Sequence, residues 1–169
     1  MKKFFIITSI VISAIVVIAI MWEFIYVKSI SMKQVYIFPK NFKGVVLIIH
    51  NQKDGTEIKK EDGKFIFKIP QTGILKTTMP LEPSVSQTWY YFEDKSGNRE
   101  EFFYCWDSKE MKQNKDKVYA FSGSTGTYGV GEGQERVDCT TFIVGSEEDA
   151  DSLHKSLEKI NPLEILKRK

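Results

Sequence analysis

Nineteen consecutive residues without a charge, opening at Phe4 and closing at Trp22, constrain this chain more than any other feature. Only Glu23 interrupts before the apolar run resumes as Phe24-Ile25-Tyr26-Val27. As a helix the two stretches together reach about 28 to 36 Å, the thickness of a bilayer's hydrocarbon core. A buried helix of a globular domain keeps a polar face, and this segment has none. Residues 1–27 are therefore expected to be an N-terminal transmembrane anchor that meets the lipid bilayer from Phe4 through Val27. A cleaved signal peptide is the alternative, since Met1-Lys2-Lys3 is a basic start. The apolar run exceeds the usual 7–15 residues of a signal core, roughly, and no Ala-x-Ala closes it. Cleavage after the small residues Ser29 and Ser31 would leave Met32 as the new terminus, a secreted form.

Orientation follows the basic residues. Lys2, Lys3 and the α-amino group lie on one side, Lys28 and Lys33 on the other. The balance predicts the N-terminus inside and residues 28–169 outside, in a single-pass arrangement at the cell membrane. No cysteine precedes Cys105, so none is available near the membrane segment for lipid attachment.

The whole chain of 169 residues has 24 basic and 22 acidic side chains. Setting aside residues 1–27, which hold Lys2, Lys3 and Glu23, leaves 22 basic and 21 acidic residues with the signs interspersed. No basic stripe tracks a phosphate backbone, so nucleic acid is excluded as a partner.

After a short linker over residues 28–33, apolar residues come in short runs separated by turn signals, the pattern of a β-rich domain. The expected strands are Val35 to Phe38, Val45 to Ile49, Lys64 to Ile69, Ile74 to Thr78, Thr88 to Phe92, Glu101 to Trp106, Lys117 to Phe121 and Glu135 to Val144. Val45 to Ile49 is apolar throughout and reads as buried on both faces. Lys64 to Ile69 alternates and reads as half-solvated. Asp54-Gly55, Asp62-Gly63 and Asp94-Lys95-Ser96-Gly97-Asn98 supply turn chemistry, the last between two aromatic strands that should pair as a hairpin. At Ser146 a helix begins, with Asp149 placed to complete a capping box and Leu153, Leu157 and Ile160 as one apolar stripe. It should dock on the sheet and stop near Asn161-Pro162, leaving Lys167-Arg168-Lys169 as a solvated tail. The expected fold is mainly β, an antiparallel β-sandwich of about eight strands over residues 34–145, with one C-terminal helix in residues 146–169.

The stretch from Val35 through Leu75 contains Tyr36-Ile37-Phe38-Pro39, Gly44 before a Val/Ile run, Asp62-Gly63-Lys64-Phe65-x-Phe67 and Ile69-Pro70-x-x-Gly73. It resembles a family of short, uncharacterised bacterial envelope domains, and more weakly the carboxypeptidase regulatory-like, transthyretin-like β-sandwiches. The first likeness carries no activity to transfer. The second implies a binding or structural module.

Chemistry-bearing motifs are sparse. The stretch from Gly123 to Gly133 holds five of the eleven glycines. A phosphate-binding loop needs a Lys-Ser/Thr and a helix after it, whereas Gln134-Glu135-Arg136 and a strand follow here. A mobile surface loop is expected; the alternative is a ligand- or partner-contacting loop with Tyr128 as its contact residue. His50, Cys105, Cys139 and His154 are separated by 55, 34 and 15 residues and include no short ligand pair, so zinc is not expected. Cys105 lies among Phe102, Phe103, Tyr104 and Trp106, a packing environment rather than an activating one. The period of two lets Cys105 and Cys139 both point inward, either as a disulfide or as two buried thiols. Aromatic side chains occupy both faces of the hairpin. If one face stays uncovered, Trp89, Tyr91, Tyr104 and Trp106 become contacts for an envelope protein or a glycan. The leading expectation is thus a membrane-anchored extracytoplasmic binding or structural module without cofactor. The alternative is a small cell-surface hydrolase using Cys105 or a carboxylate.

Overall fold

The computed structural model describes residues 13, 15–22, 32–82, 86–129 and 136–167. The chain divides into two compact units, residues 1–32 with 84–87, and residues 33–83 with 88–169. In the first, residue 13 and residues 15–22 are helical, and Ile15, Val16, Val17, Ile18, Ile20, Met21 and Trp22 are all at least half exposed. Among the described residues no helix is long and apolar enough to cross a membrane. Most of the expected anchor, residues 1–12, 14 and 23–27, lies outside the described residues, as does most of the 28–33 linker.

Nine strands and three short helices follow: β1 (Met32–Pro39), β2 (Gly44–Ile49), β3 (Lys59–Glu61), β4 (Lys64–Lys68), β5 (Ile74–Lys76), β6 (Ser86–Glu93), β7 (Arg99–Phe102), α1 (Ser108–Gln113), β8 (Tyr119–Tyr128), β9 (Val137–Gly145), α2 (Ala150–Glu158) and α3 (Pro162–Lys167). They form a five-stranded sheet in the order β3-β4-β1-β6-β7 and a four-stranded sheet in the order β5-β2-β9-β8. The expected antiparallel sandwich of about eight strands is corrected on two counts. Both sheets are mixed, because β1 pairs in parallel with β4 and β2 in parallel with β5. The ninth strand, β3, is three charged, exposed residues with no apolar pattern to reveal it. It exists because Asp62 and Gly63, at φ of 48° and 76°, make a two-residue turn that folds Lys59–Glu61 back on β4.

One apolar cluster is shared by the two sheets. Tyr36, Phe38, Phe67, Tyr90 and Phe102 come from the first, and Val46, Ile48, Leu75, Phe142 and Val144 from the second. Phe142 sets its ring edge-on to Tyr36, Phe38 and Tyr90 at 5.4 to 6.1 Å between centroids, pairings worth about 0.5–1.5 kcal/mol each beyond burial. Burial raises the Tyr36 and Tyr90 phenols well above their ordinary range. Strand β2 is buried on both faces, as its composition predicts. Val46 and Ile48 face the shared core, while Leu47 and Ile49 join Val137 and Cys139 beneath Ile160, Leu163, Ile165 and Leu166.

Strand β4 departs from its expected half-solvated character. Ile66 is buried with Val35 and Ile37 on the far face of the five-stranded sheet, flanked by Trp89 and Tyr91. The parallel register that opposes Val35 to Ile66 causes this. The hairpin between β6 and β7 forms as expected, closed by Asp94, whose carboxylate accepts from the Ser96 and Asn98 amides at 2.8 and 2.9 Å.

The C-terminal segment is two helices rather than one. Asp149 accepts from the Ser146 amide at 3.1 Å and the Ser146 hydroxyl at 2.6 Å, and the helix itself starts at Ala150. Asn161 then caps a further helix through its side-chain oxygen, which accepts from the Leu163 and Glu164 amides. Pro162 begins that helix, where its missing N–H costs nothing. Both helices cover the four-stranded sheet, with Leu153 and Leu157 packed beside Phe121 and Ile143.

Candidate functional site

The candidate site lies where the chain leaves β7. The peptide over residues 103–105 crosses to the other sheet: the Cys105 amide donates to the Ala120 carbonyl at 2.7 Å, and the Ala120 amide donates to Phe103 at 3.0 Å. This clip carries the second half of the expected strand Glu101 to Trp106 off β7 and holds Tyr104, Cys105 and Trp106 beside β8. Asp107 then caps α1, accepting from the Lys109 amide at 2.8 Å.

Opposite stands the start of α2. Between the two walls runs a groove of about 610 Å³, with Phe121, Ser122 and Gly123 of β8 in its lining and Met111 of α1 beneath. Tyr104 and Trp106 form one side, their ring centroids 4.4 Å apart and their planes at 48°. Trp106 is 89% exposed, a large apolar ring left in water. Glu147, Glu148, Asp151 and His154 form the other.

Strand β8 bulges between Phe121 and Ser124, and in that bulge Ser122 takes φ of 52°. The other non-glycine residues in this region of backbone space, among the described residues, are Asn41, Asn51 and Asp62, types that tolerate it. The Ser122 hydroxyl is 3.2 Å from Nε2 of His154, and the imidazole rests against Phe121 at 5.8 Å between centroids. Gly123 donates its amide to the Tyr104 phenol at 2.7 Å.

The sequence-predicted residues separate into three places. Tyr104 and Trp106 share the groove with Cys105. Trp89 and Tyr91 sit on the far face of the five-stranded sheet, half-buried, with the Lys64 ammonium 4.5 Å from the Trp89 ring. Tyr128 ends β8, 42% exposed, beside a 240 Å³ hollow that also touches Cys139, Leu157 and Ile160. The glycine-rich stretch is not a loop up to Tyr128, since β8 continues through it; residues 130–135 lie outside the described residues.

Of the two arrangements open to Cys105 and Cys139, the structure has the two buried thiols. Both thiols are free and buried, in different clusters. Cys139 opposes Gly126, whereas Cys105 is bonded to Ala120, which opposes Val144. Five strand residues separate those levels, about 16 Å, against the ~7 Å that a disulfide allows between Cα atoms. The Cys105 thiol donates to the Asp107 carbonyl at 3.1 Å, so the imidazole in the groove is engaged by Ser122 and not by a cysteine. Burial pushes the Cys139 thiol up.

His50 is buried at the end of β2 with Nε2 3.1 Å from the Thr140 hydroxyl, and burial lowers its pKa. Among the described residues no group of three or more His, Cys, Asp or Glu side chains is arranged to hold a metal. Sequence reasoning missed Ser122 and Ser108. The available signal was a serine directly before the first glycine of the glycine-rich stretch.

These features define a mainly β domain of two mixed sheets with a polar, aromatic-walled groove. Residues 31–152 match a family of unknown function, DUF6843, and the chain belongs to that family. No curated protein matches it. Its fold is similar to that of a 2.75 Å crystal structure of a protein from Bacillus anthracis described as a candidate lipoprotein, with a TM-score of 0.51 and 17% identity over 70% of this chain and 76% of that one.

Proposed function

We propose that this protein is an extracytoplasmic binding module of a bacterial envelope, tethered through residues 4–27 with the N-terminus inside and residues 28–169 outside, and that it binds its ligand in the groove beside Trp106. The observation that carries the binding role is Trp106 itself. A ring 89% exposed, set against Tyr104 at the rim of a groove, is an unfilled contact surface, because burying it releases the free energy that solvation withholds. The uncharged run from Phe4 to Trp22 supports the tether, and the likeness in fold to a candidate lipoprotein is consistent with an envelope setting. The reading is of binding: the Cys105 thiol donates to the Asp107 carbonyl at 3.1 Å and lies 3.9 Å from a Glu110 carboxylate oxygen, while the groove's imidazole is engaged by Ser122.

The test uses the full-length protein in detergent, sedimented with purified cell-wall polymer so that the tether does not contribute. Wild type should pellet with the polymer, and Trp106→Ala should remain in the supernatant with an unchanged melting temperature. Equal sedimentation of the two proteins would overturn the groove as the binding site. Protease shaving of intact cells tests topology separately: residues 28–169 should be digested, and a purified N-terminus near Met32 would refute the retained tether.

A further inference from the structure

The groove's chemistry narrows what it takes, on the reading that it is the binding site. We propose that its ligand is an ammonium group carried on a hydroxylated ring, the chemistry of an amino sugar. Three carboxylates line it, Glu147, Glu148 and Asp151, against the single ammonium of Lys112. Asp149, between them in sequence, is not available, since it is held by Lys43 at 2.7 Å. The excess is therefore negative and is concentrated on the α2 wall. The facing wall attracts the same charge by a different mechanism. The Tyr104 and Trp106 rings, tilted at 48° and 4.4 Å apart, make a corner whose π faces favour a cation, with Trp the strongest ring for the purpose.

An anion meets the reverse. The Gly123 amide is already given to the Tyr104 phenol, and among the described lining residues Lys112 is the only lysine or arginine. The remaining lining groups, the Ser108 and Ser122 hydroxyls and the His154 imidazole, both donate and accept, which suits the hydroxyls of a sugar ring better than the bare methylenes of a lysine side chain. The C–H face of such a ring also stacks on Trp106, so one ligand satisfies both walls. A volume of about 610 Å³ lies within the range of roughly 300–1,000 Å³ usual for ligand sites.

The experiment titrates the full-length protein in detergent with three soluble probes: a trimer of glucosamine, the same trimer fully N-acetylated, and trilysine. The glucosamine trimer should bind at least tenfold more tightly than either of the others. The double substitution Glu148→Gln/Asp151→Asn should remove that preference while leaving the N-acetylated trimer unaffected. Trp106→Ala, and Trp106→Gln as an independent variant, should abolish saccharide binding. Equal affinity for the two sugars overturns the cationic ligand, and trilysine binding as tightly as glucosamine overturns the sugar body. If neither sugar binds while wall sedimentation still depends on Trp106, the amino-sugar inference falls and the groove stands. If sedimentation is also indifferent to Trp106, both fall.

Discussion

Gly123 donates its backbone N–H to the phenolic oxygen of Tyr104 over 2.7 Å, so a side-chain bond ties the β8 bulge to the aromatic wall of the groove beside the main-chain bonds that residues 103 and 105 make to Ala120. A Cβ at position 123 would meet that oxygen at 3.0 Å, and the glycine is what admits the approach. Tyr104→Phe removes the acceptor and leaves the amide to water. It should cost about 0.5–1.5 kcal/mol in urea unfolding while the ring still lines the groove. Tyr104→Ala should lose the wall as well, with reduced ligand binding.

Asp149 joins the β1–β2 connection to the start of α2. Its carboxylate meets Lys43 at 2.7 Å and the Ser146 hydroxyl at 2.6 Å, and the Lys43 ammonium followed by Ser146 holds its pKa down at about 2, from an ordinary 3.8. The folded state thus favours the ionised form. The stability this supplies is fully present above the ordinary carboxylate range and is lost as the pH falls from about 4 towards 2. Asp149→Ala should cost about 1 kcal/mol at neutral pH, mostly as the lost hydrogen bonds from the Ser146 amide and hydroxyl because the ion pair is half-solvated. The variant should also show a flatter dependence of the urea midpoint on pH below 4, and an unchanged slope there would refute the assignment.

Two glycines with the same backbone twist should respond differently to alanine. Gly63 has φ of 76° and open space where a Cβ would go, so Gly63→Ala should cost about 1–2 kcal/mol of conformational strain alone. At Gly73, with φ of 74°, the added carbon would fall 2.3 Å from the Val45 carbonyl oxygen, in the segment whose own carbonyl accepts from Leu47 at 2.9 Å. Gly73→Ala should be the more damaging by at least about 2 kcal/mol, since the β2–β5 pairing must move to accommodate it. Parallel denaturant titrations of the two variants measure the difference.

The cysteines should behave as two separate small hydrophobes. Alkylation of the denatured protein without reductant should label both Cys105 and Cys139, and recovery of an unlabelled pair would contradict the register that separates them. In the native protein Cys139 should react slowly, because burial both blocks access and pushes its thiol up, leaving little thiolate near neutral pH.

What the sequence made legible was the local alternation. Val45 to Ile49 announces a doubly buried strand, Asp94 to Asn98 a hairpin turn, and Ser146 with Asp149 the start of a helix, because each depends on neighbours a few residues away. What it hid depends on partners far along the chain. Parallel pairing of Val35 with Ile66 leaves no local mark, and it converts an apparently solvated Ile66 into a buried one. The short charged β3 follows its turn rather than its own composition. Asn161-Pro162 reads equally as a stop or as a cap with proline in the first turn, and only the packing of Leu163, Ile165 and Leu166 decides. Half of the candidate site was visible as aromatic density at Tyr104 and Trp106. Ser122 and His154, 32 residues apart, are joined only by the docking of α2.

The strand order gives the molecule a mechanical bias. In the sheet β3-β4-β1-β6-β7 the first strand of the domain is the middle one, bonded to β4 on one side and β6 on the other. A pull directed along β1 from its Met32 end therefore loads a central strand. The hydrogen bonds on both flanks share that load in shear, instead of opening one after another as they would if an edge strand were peeled away. A chain held at the start of β1 and drawn on by whatever it binds is thus gripped at a strand bonded on both sides.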